Sequence, residues 1–136
     1  MSRQKILLVD DALFNRRLIE VVLKPQGYEL LMAENGQEGI DLAIRERPDL
    51  ILMDIQLPDI DGYMATKELK RRVETRAIPV IALTASTTPE DIQHATESGF
   101  AAYISKPFNP TDLPKVIADL LSRHAADTHY RRRPSI

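Results

Sequence analysis

The sequence predicts an α/β domain in which five parallel strands form one sheet covered by helices on both faces. Three observations carry this. Five short apolar runs recur along the chain, and most are apolar throughout rather than alternating, as strands buried on both faces should be. Longer amphipathic segments separate them one for one, the pattern of β–α–β crossovers. Turn and cap residues stand at the changes from one type to the other.

The elements follow in order. "KILLV" (5–9) is the first strand. Phe14, Leu18, Val21 and Val22 then recur at helical spacing, and Pro25 and Gly27 close that helix. Pro25 falls in its last turn, where the missing N–H should distort the helix end. "ELLMA" (29–33) is the second strand; Ile40, Ala43 and Ile44 mark the second helix, ended by Pro48. "DLILMDI" (49–55) is the third strand, and the third helix runs from about Tyr63 into Arg72. "PVIALT" (79–84) precedes the best-signalled helix, with Thr88 as N-cap, Pro89 at the first helical position, Asp91 three residues past the cap, and Gly99 at the end. "AYIS" (102–105) is the fifth strand, and Leu113, Val116, Ile117, Leu120 and Leu121 form the stripe of the fifth helix. Pro114 costs that helix a hydrogen bond if Asn109 is the cap, and is tolerated if Thr111 is.

The pattern stops at residue 122, which makes 1–122 the domain and 123–136 a basic tail. The tail carries Arg123, Arg131, Arg132 and Arg133 against Asp127, a net of +3 that leaves −5 on the domain out of −2 overall. A length of 136 residues leaves no room for a second core. Apolar residues at 43% and charged residues at 28% fit a globular protein, not a disordered one. The small net charge gives no general case for nucleic-acid binding, and "YRRR" in the tail is a weak exception. With no cysteine, disulfides and thiolate sites are excluded. "MSRQKILLVDD" holds an apolar run too short for a signal peptide or a membrane span, so a cytoplasmic protein without membrane contact is expected.

In an open α/β sheet, ligands bind beyond the carboxyl ends of the strands. There the first strand carries Asp10 and Asp11, the third Asp54, the fourth Thr84 then Ala85, and the fifth Lys106 then Pro107. Three clustered carboxylates repel one another, and a hard divalent cation relieves this. Mg²⁺ (or Mn²⁺) usually takes one or two carboxylates plus a substrate phosphate, which points to phosphoryl chemistry. Asp54 then serves as a carboxylate nucleophile giving an aspartyl phosphate. The cation, the Lys106 ammonium and the Thr84 hydroxyl meet the charge on the three equatorial oxygens. The small Ala85 lets backbone N–H groups approach.

The pieces "LLVDD", "LILMDIQLPDIDG", "VIALTA" and "YISKPF", in that order, resemble the receiver domain of two-component response regulators over residues 4–122. The resemblance implies a flavodoxin-like sheet in the order 2-1-3-4-5, which the pattern alone does not settle. It implies Asp54 as phosphoacceptor, Asp11 as a direct metal ligand, Asp10 acting partly through water, and the Gln56 backbone carbonyl as a further ligand. Thr84, the Ala85 backbone and Lys106 contact the phosphoryl group, with Thr84 and Tyr103 as the switch pair and Pro107 as a cis or geometry-setting proline. The implied partners are a histidine kinase or histidine phosphotransfer protein upstream, and downstream a protein effector on the face of the fourth helix, fifth strand and fifth helix. Gln56 and Ser86, two residues past Asp54 and Thr84, are placed to tune the phosphoryl lifetime.

Each residue also has a plainer role: Asp10 as an N-cap, Thr84 as a strand residue, Lys106 as a loop lysine, Tyr103 as core or interface, Asp59 and Asp61 as turn and cap. The joint arrival of Asp10, Thr84 and Lys106 with Asp54 at one sheet edge favours chemistry, whereas Asp59 and Asp61, which the loop carries beyond the strand end, read as turn and cap. His94, His124 and His129 form no triad and a poor zinc set. A haloacid-dehalogenase-type phosphohydrolase would need Asp-x-Asp, whereas Asp10 and Asp11 are adjacent and Gln56 follows Asp54. A receiver-like adaptor that accepts no phosphate would be expected to lack an acid or the lysine. The chain therefore reads as a receiver, stand-alone or else excised from a larger protein, that is a switch rather than a turnover enzyme, with only metal-dependent self-phosphorylation and autodephosphorylation.

Overall fold

A computed structural model describes residues 3–132, with side chains as far as Arg123. The elements are β1 (Lys5–Val9), α1 (Leu13–Leu23), a 3₁₀ turn (Lys24–Gln26), β2 (Glu29–Ala33), α2 (Gly36–Glu46), β3 (Leu50–Asp54), α3 (Gly62–Arg71), β4 (Val80–Thr84), α4 (Pro89–Ser98), β5 (Ala102–Ser105) and α5 (Asp112–Arg132). All five strands are parallel in the order β2-β1-β3-β4-β5, the flavodoxin-like order.

Side chains alternate between the faces of a strand, and two cores result. Leu7, Val9, Ile51, Met53, Val80 and Ala82 meet α2, α3 and α4 through Ile40, Ala43, Ala65, Leu69 and Ala95. Ile6, Leu8, Leu50, Leu52, Ile81 and Leu83 meet α1 and α5 through Ile19, Leu23, Leu113, Ile117 and Leu121. The central strands read as continuous apolar runs because both faces are covered. The edge strands are less enclosed: β2 is mostly half-buried, and β5 alternates between half-buried and exposed.

Local signals behave as their chemistry requires. The Thr88 side chain accepts the Asp91 N–H at the start of α4, and Gly99 closes that helix at a φ of 103°. Pro25 ends α1 at Leu23 and turns the chain into the 3₁₀ segment, which Gly27 closes at a φ of 88°. Because α5 starts after Thr111, Pro114 sits in its first turn, where a missing N–H breaks no intrahelical bond.

One expectation changes. The apolar spacing in α1 gives the buried face only in part: Leu18 and Val22 pack half-buried against the second core, Phe14 and Val21 are 76% and 71% exposed, and the fully buried pair is Ile19 and Leu23. The backbone of α5 runs to Arg132. The side chains of 124–132, with His124, His129 and the tail arginines among them, and residues 133–136 lie outside the described part.

Candidate functional site

The carboxyl edge of the sheet brings the acids together. Asp10 follows β1 directly and donates its N–H to the Ala33 carbonyl at 3.0 Å, extending the ladder by one residue. Asp54 is the last residue of β3 and pairs with Leu83 of β4. Asp10 and Asp54 are buried and Asp11 is exposed, and the three offer carboxylate oxygens within 4.8 Å of one another.

Lys106 completes the cluster from β5. Thr84 is in register with Ser105, and the Lys106 N–H donates to the Thr84 carbonyl at 2.8 Å. This holds the lysine backbone at the strand end. Its ammonium reaches Asp54 Oδ1 at 3.0 Å and Asp10 Oδ2 at 3.9 Å. The Lys106–Pro107 peptide bond is cis.

Asp54 feels opposing influences. Burial pushes its carboxyl above the usual range, and the hydrogen bond from Lys106 pulls it down; Asp10 raises it, while the Lys106 charge and the Gln56 N–H lower it. The net direction is upward, because burial outweighs the lysine and the Gln56 N–H. Gln56 donates its N–H to Asp54 Oδ1 at 3.1 Å. The loop after Asp54 returns against the site, with Gly62 donating to the Ile55 carbonyl at 2.8 Å. A Cβ on Gly62 would strike the Asp54 carbonyl oxygen and lie 2.8 Å from Ile55 Cα, so the return requires glycine.

Above Asp54 lies a cavity of about 240 Å³ whose lining includes Gln56, Thr84, Ala85, Ser86, Asp91 and Lys106. Tyr103 stands apart from it, 41% exposed, on a smaller cleft of about 10 Å³ shared with Thr84. The Thr84 hydroxyl donates to the Ser86 carbonyl at 2.8 Å and accepts the Ser86 N–H at 3.1 Å. Asp91 accepts the Ser86 and Thr88 hydroxyls, which hold its carboxyl below the usual range.

Several contributors were not singled out from sequence. Asn15 Nδ2 donates to Asp10 Oδ2 at 3.2 Å, and Arg16 donates to the Asp10 carbonyl at 2.8 Å. Asp10 does not cap α1 with its side chain; Ala12 occupies the cap position, and Asp10 Oδ1 accepts the Ala12 N–H at 2.9 Å. Asp61 caps α3, as a cap reading of that acid allows, whereas Asp59 reaches across to accept the N–H groups of Gly36 and Gln37 on α2. Tyr63, on the wall of the cavity, stacks on His94 of α4 at 3.7 Å between ring centroids and meets Phe100 edge-on. A Tyr–His stack between helices leaves no trace in sequence spacing.

Fold and site together define a flavodoxin-like α/β domain with an acidic, lysine-completed site at its sheet edge. The chain matches the family model described as the response regulator receiver domain over residues 6–118, and it belongs to that family, the receivers of two-component signalling. It is 42% identical over 119 residues to the polar-differentiation response regulator DivK of Brucella anthropi, covering 88% of this chain and 94% of that protein. Among solved structures it resembles the receiver domain of sensor histidine kinase PA1611 from Pseudomonas aeruginosa, which holds a magnesium ion in its active site cleft. That match has a TM-score of 0.82 and 36% identity over 89% of this chain and 99% of the other. The chemotaxis protein CheY4 of Vibrio cholerae matches with a TM-score of 0.83 and 30% identity, over 87% and 98% of the two chains. Among the described residues, no helix is long and apolar enough to cross a membrane.

Proposed function

We propose that Asp54 accepts a phosphoryl group from a phosphohistidine on a histidine kinase or phosphotransfer protein, and that the product switches a partner-binding face. The observation that carries this is the Lys106 ammonium 3.0 Å from Asp54, beside two further carboxylates. The donor set is all oxygen and compact, which fits Mg²⁺ or Mn²⁺. Asp11, Asp54 and the Gln56 carbonyl would hold the ion directly, with Asp10 acting partly through water. When bound, it neutralises the acids and the charge of the incoming phosphoryl group.

The chain's own residues do the rest. Asp54 attacks phosphorus with a carboxylate oxygen, the phosphorus–nitrogen bond of the donor breaks, and its electron pair leaves with the imidazole. Lys106 meets the charge on one equatorial oxygen, and the backbone at Ala85 approaches another. Asn15 and Arg16 keep Asp10 in place. Leu13 and Phe14, both exposed at the start of α1 just beyond Asp11, give the phosphodonor an apolar surface from which to reach a buried carboxylate. Water entering past Gln56 and Ser86 hydrolyses the aspartyl phosphate and resets the switch.

Transmission runs through Thr84. In the state described here its hydroxyl is held by Ser86, and the adjoining cleft has room for about one water, not for the Tyr103 ring. Recruiting the hydroxyl to the phosphoryl group opens that cleft, Tyr103 turns inward, and the α4–β5–α5 face changes for a protein effector. Moving the population from mostly inactive to mostly active takes about 5.5 kcal/mol of differential interaction, within reach of several charge-assisted hydrogen bonds. The test is transfer from a preloaded phosphohistidine domain in the presence of Mg²⁺. Label should leave the donor and appear on this chain; label that stays on the donor, or leaves it only as inorganic phosphate without passing through this chain, contradicts the reading.

A further inference from the structure

The turn from β4 into α4 is tied down more firmly than a helix start requires. Thr88 already caps α4 by accepting the Asp91 N–H at 3.2 Å, and its hydroxyl donates back to Asp91 Oδ2 at 2.7 Å. That exchange satisfies the cap. Asp91 Oδ2 also accepts the hydroxyl of Ser86, two residues before the cap, and this bond adds nothing to capping. Its effect falls on Ser86, whose backbone carbonyl and N–H both engage the Thr84 hydroxyl. A chain of hydrogen bonds thus runs from the first turn of α4, through Ser86, to Thr84. Asp91 and Ser86 also share the wall of the cavity above Asp54.

We propose that Asp91 is a positioning residue that acts through Ser86 to keep the Thr84 hydroxyl on the Ser86 carbonyl, opposing the phosphorylated state. A hydroxyl has one proton, so Thr84 cannot donate to a phosphoryl oxygen while donating to Ser86. Releasing it requires residues 84–86 to move, and the Ser86–Asp91 bond resists that movement. The proposal rests on the phosphoacceptor reading of Asp54 and adds a restraint on how readily that site is occupied.

The test uses the full chain with Mg²⁺ and phosphoramidate, following initial mass gain, together with amide exchange at Thr84–Thr88 without donor. Ser86→Ala and Asp91→Ala should each label about three- to tenfold faster than wild type, the range of one net hydrogen bond. The double variant should be no faster than the quicker single one, because both remove the same link. Asp91→Asn, which keeps an oxygen to accept both hydroxyls, should stay within about twofold of wild type. The Ser86 amide should exchange faster in both alanine variants. Unchanged rates in both single variants, additive effects in the double variant, or Asp91→Asn as fast as Asp91→Ala would each overturn the latch. If wild type takes no label, the phosphoacceptor reading fails instead, and exchange at Ser86 alone decides whether the latch exists.

Discussion

Lys106 Nζ stands 3.0 Å from Asp54 Oδ1 although β5, which Lys106 directly follows, and β3, which Asp54 ends, are separated in the sheet by β4. The contact exists because the Lys106 backbone is held at the end of β5 by its bond to Thr84, and a flexible four-carbon stem carries the charge across β4. Asp54 is thereby buried beside one cation and one like charge, Asp10.

Removing that cation tests its role in the transition state. Lys106→Ala should slow labelling by a small phosphodonor by about 100-fold or more, the usual loss when one stabilising donor is removed from a developing charge. Stopped time courses read by intact mass check this. A rate within a fewfold of wild type would show that the lysine is only a structural counter-charge.

Metal binding should be visible as stability. An ion bound by the folded state alone adds about 2.7 kcal/mol at a hundred times its dissociation constant, so Mg²⁺ should raise the thermal midpoint. Asp11→Ala should abolish that rise while leaving the metal-free midpoint nearly unchanged, because Asp11 is exposed and touches no core. A large drop in the metal-free midpoint would make Asp11 a structural residue instead.

How much was legible beforehand follows from where the physics is local. Strands buried on both faces are continuous apolar runs, and ligands bind beyond the carboxyl ends of such a sheet, so Asp10, Asp54 and Thr84, with Lys106 just past β5, stand out together as candidates. The strand order rested on resemblance, since alternation of elements defines layers but not neighbours. Spacing succeeds only in part in α1, where Leu18 and Val22 pack on the core but apolar Phe14 and Val21 face outward, and only packing shows that Ile19 and Leu23 are the fully buried pair. It was also silent on contacts between distant segments, such as Asp59 with α2 or Tyr63 with His94.

Asp59 gives a prediction about pH. Slight desolvation pushes its carboxyl up, but the N–H groups of Gln37 and Gly36 outweigh this and hold it below the usual range. A lowered folded-state value stabilises the protein above the unfolded value of about 3.9, and that stabilisation is lost as pH falls through the folded value. Asp59→Ala should cost about 0.5–1 kcal/mol at neutral pH, the lower part of the capping range because the residue is exposed. Urea melts should show the gap from wild type narrowing below about pH 4. A gap independent of pH would mean that packing, not the carboxylate, holds the loop to α2.

Acceptance and transmission should come apart. Thr84→Ala should still take up a phosphoryl group but pass the change on poorly, and Tyr103→Ala should label normally yet bind its effector with altered affinity. Amide exchange across residues 84–108, with and without phosphodonor, reads the transmitted change. Identical exchange in phosphorylated and free wild type would remove Tyr103 from the switch.

The most direct test of the whole account is intact-mass measurement of wild type and Asp54→Asn after incubation with phosphoramidate, with and without Mg²⁺. Wild type should gain one phosphoryl group, dependent on the metal, and Asp54→Asn none. Labelling of Asp54→Asn at the wild-type rate, or a wild type that no phosphodonor labels, would contradict it.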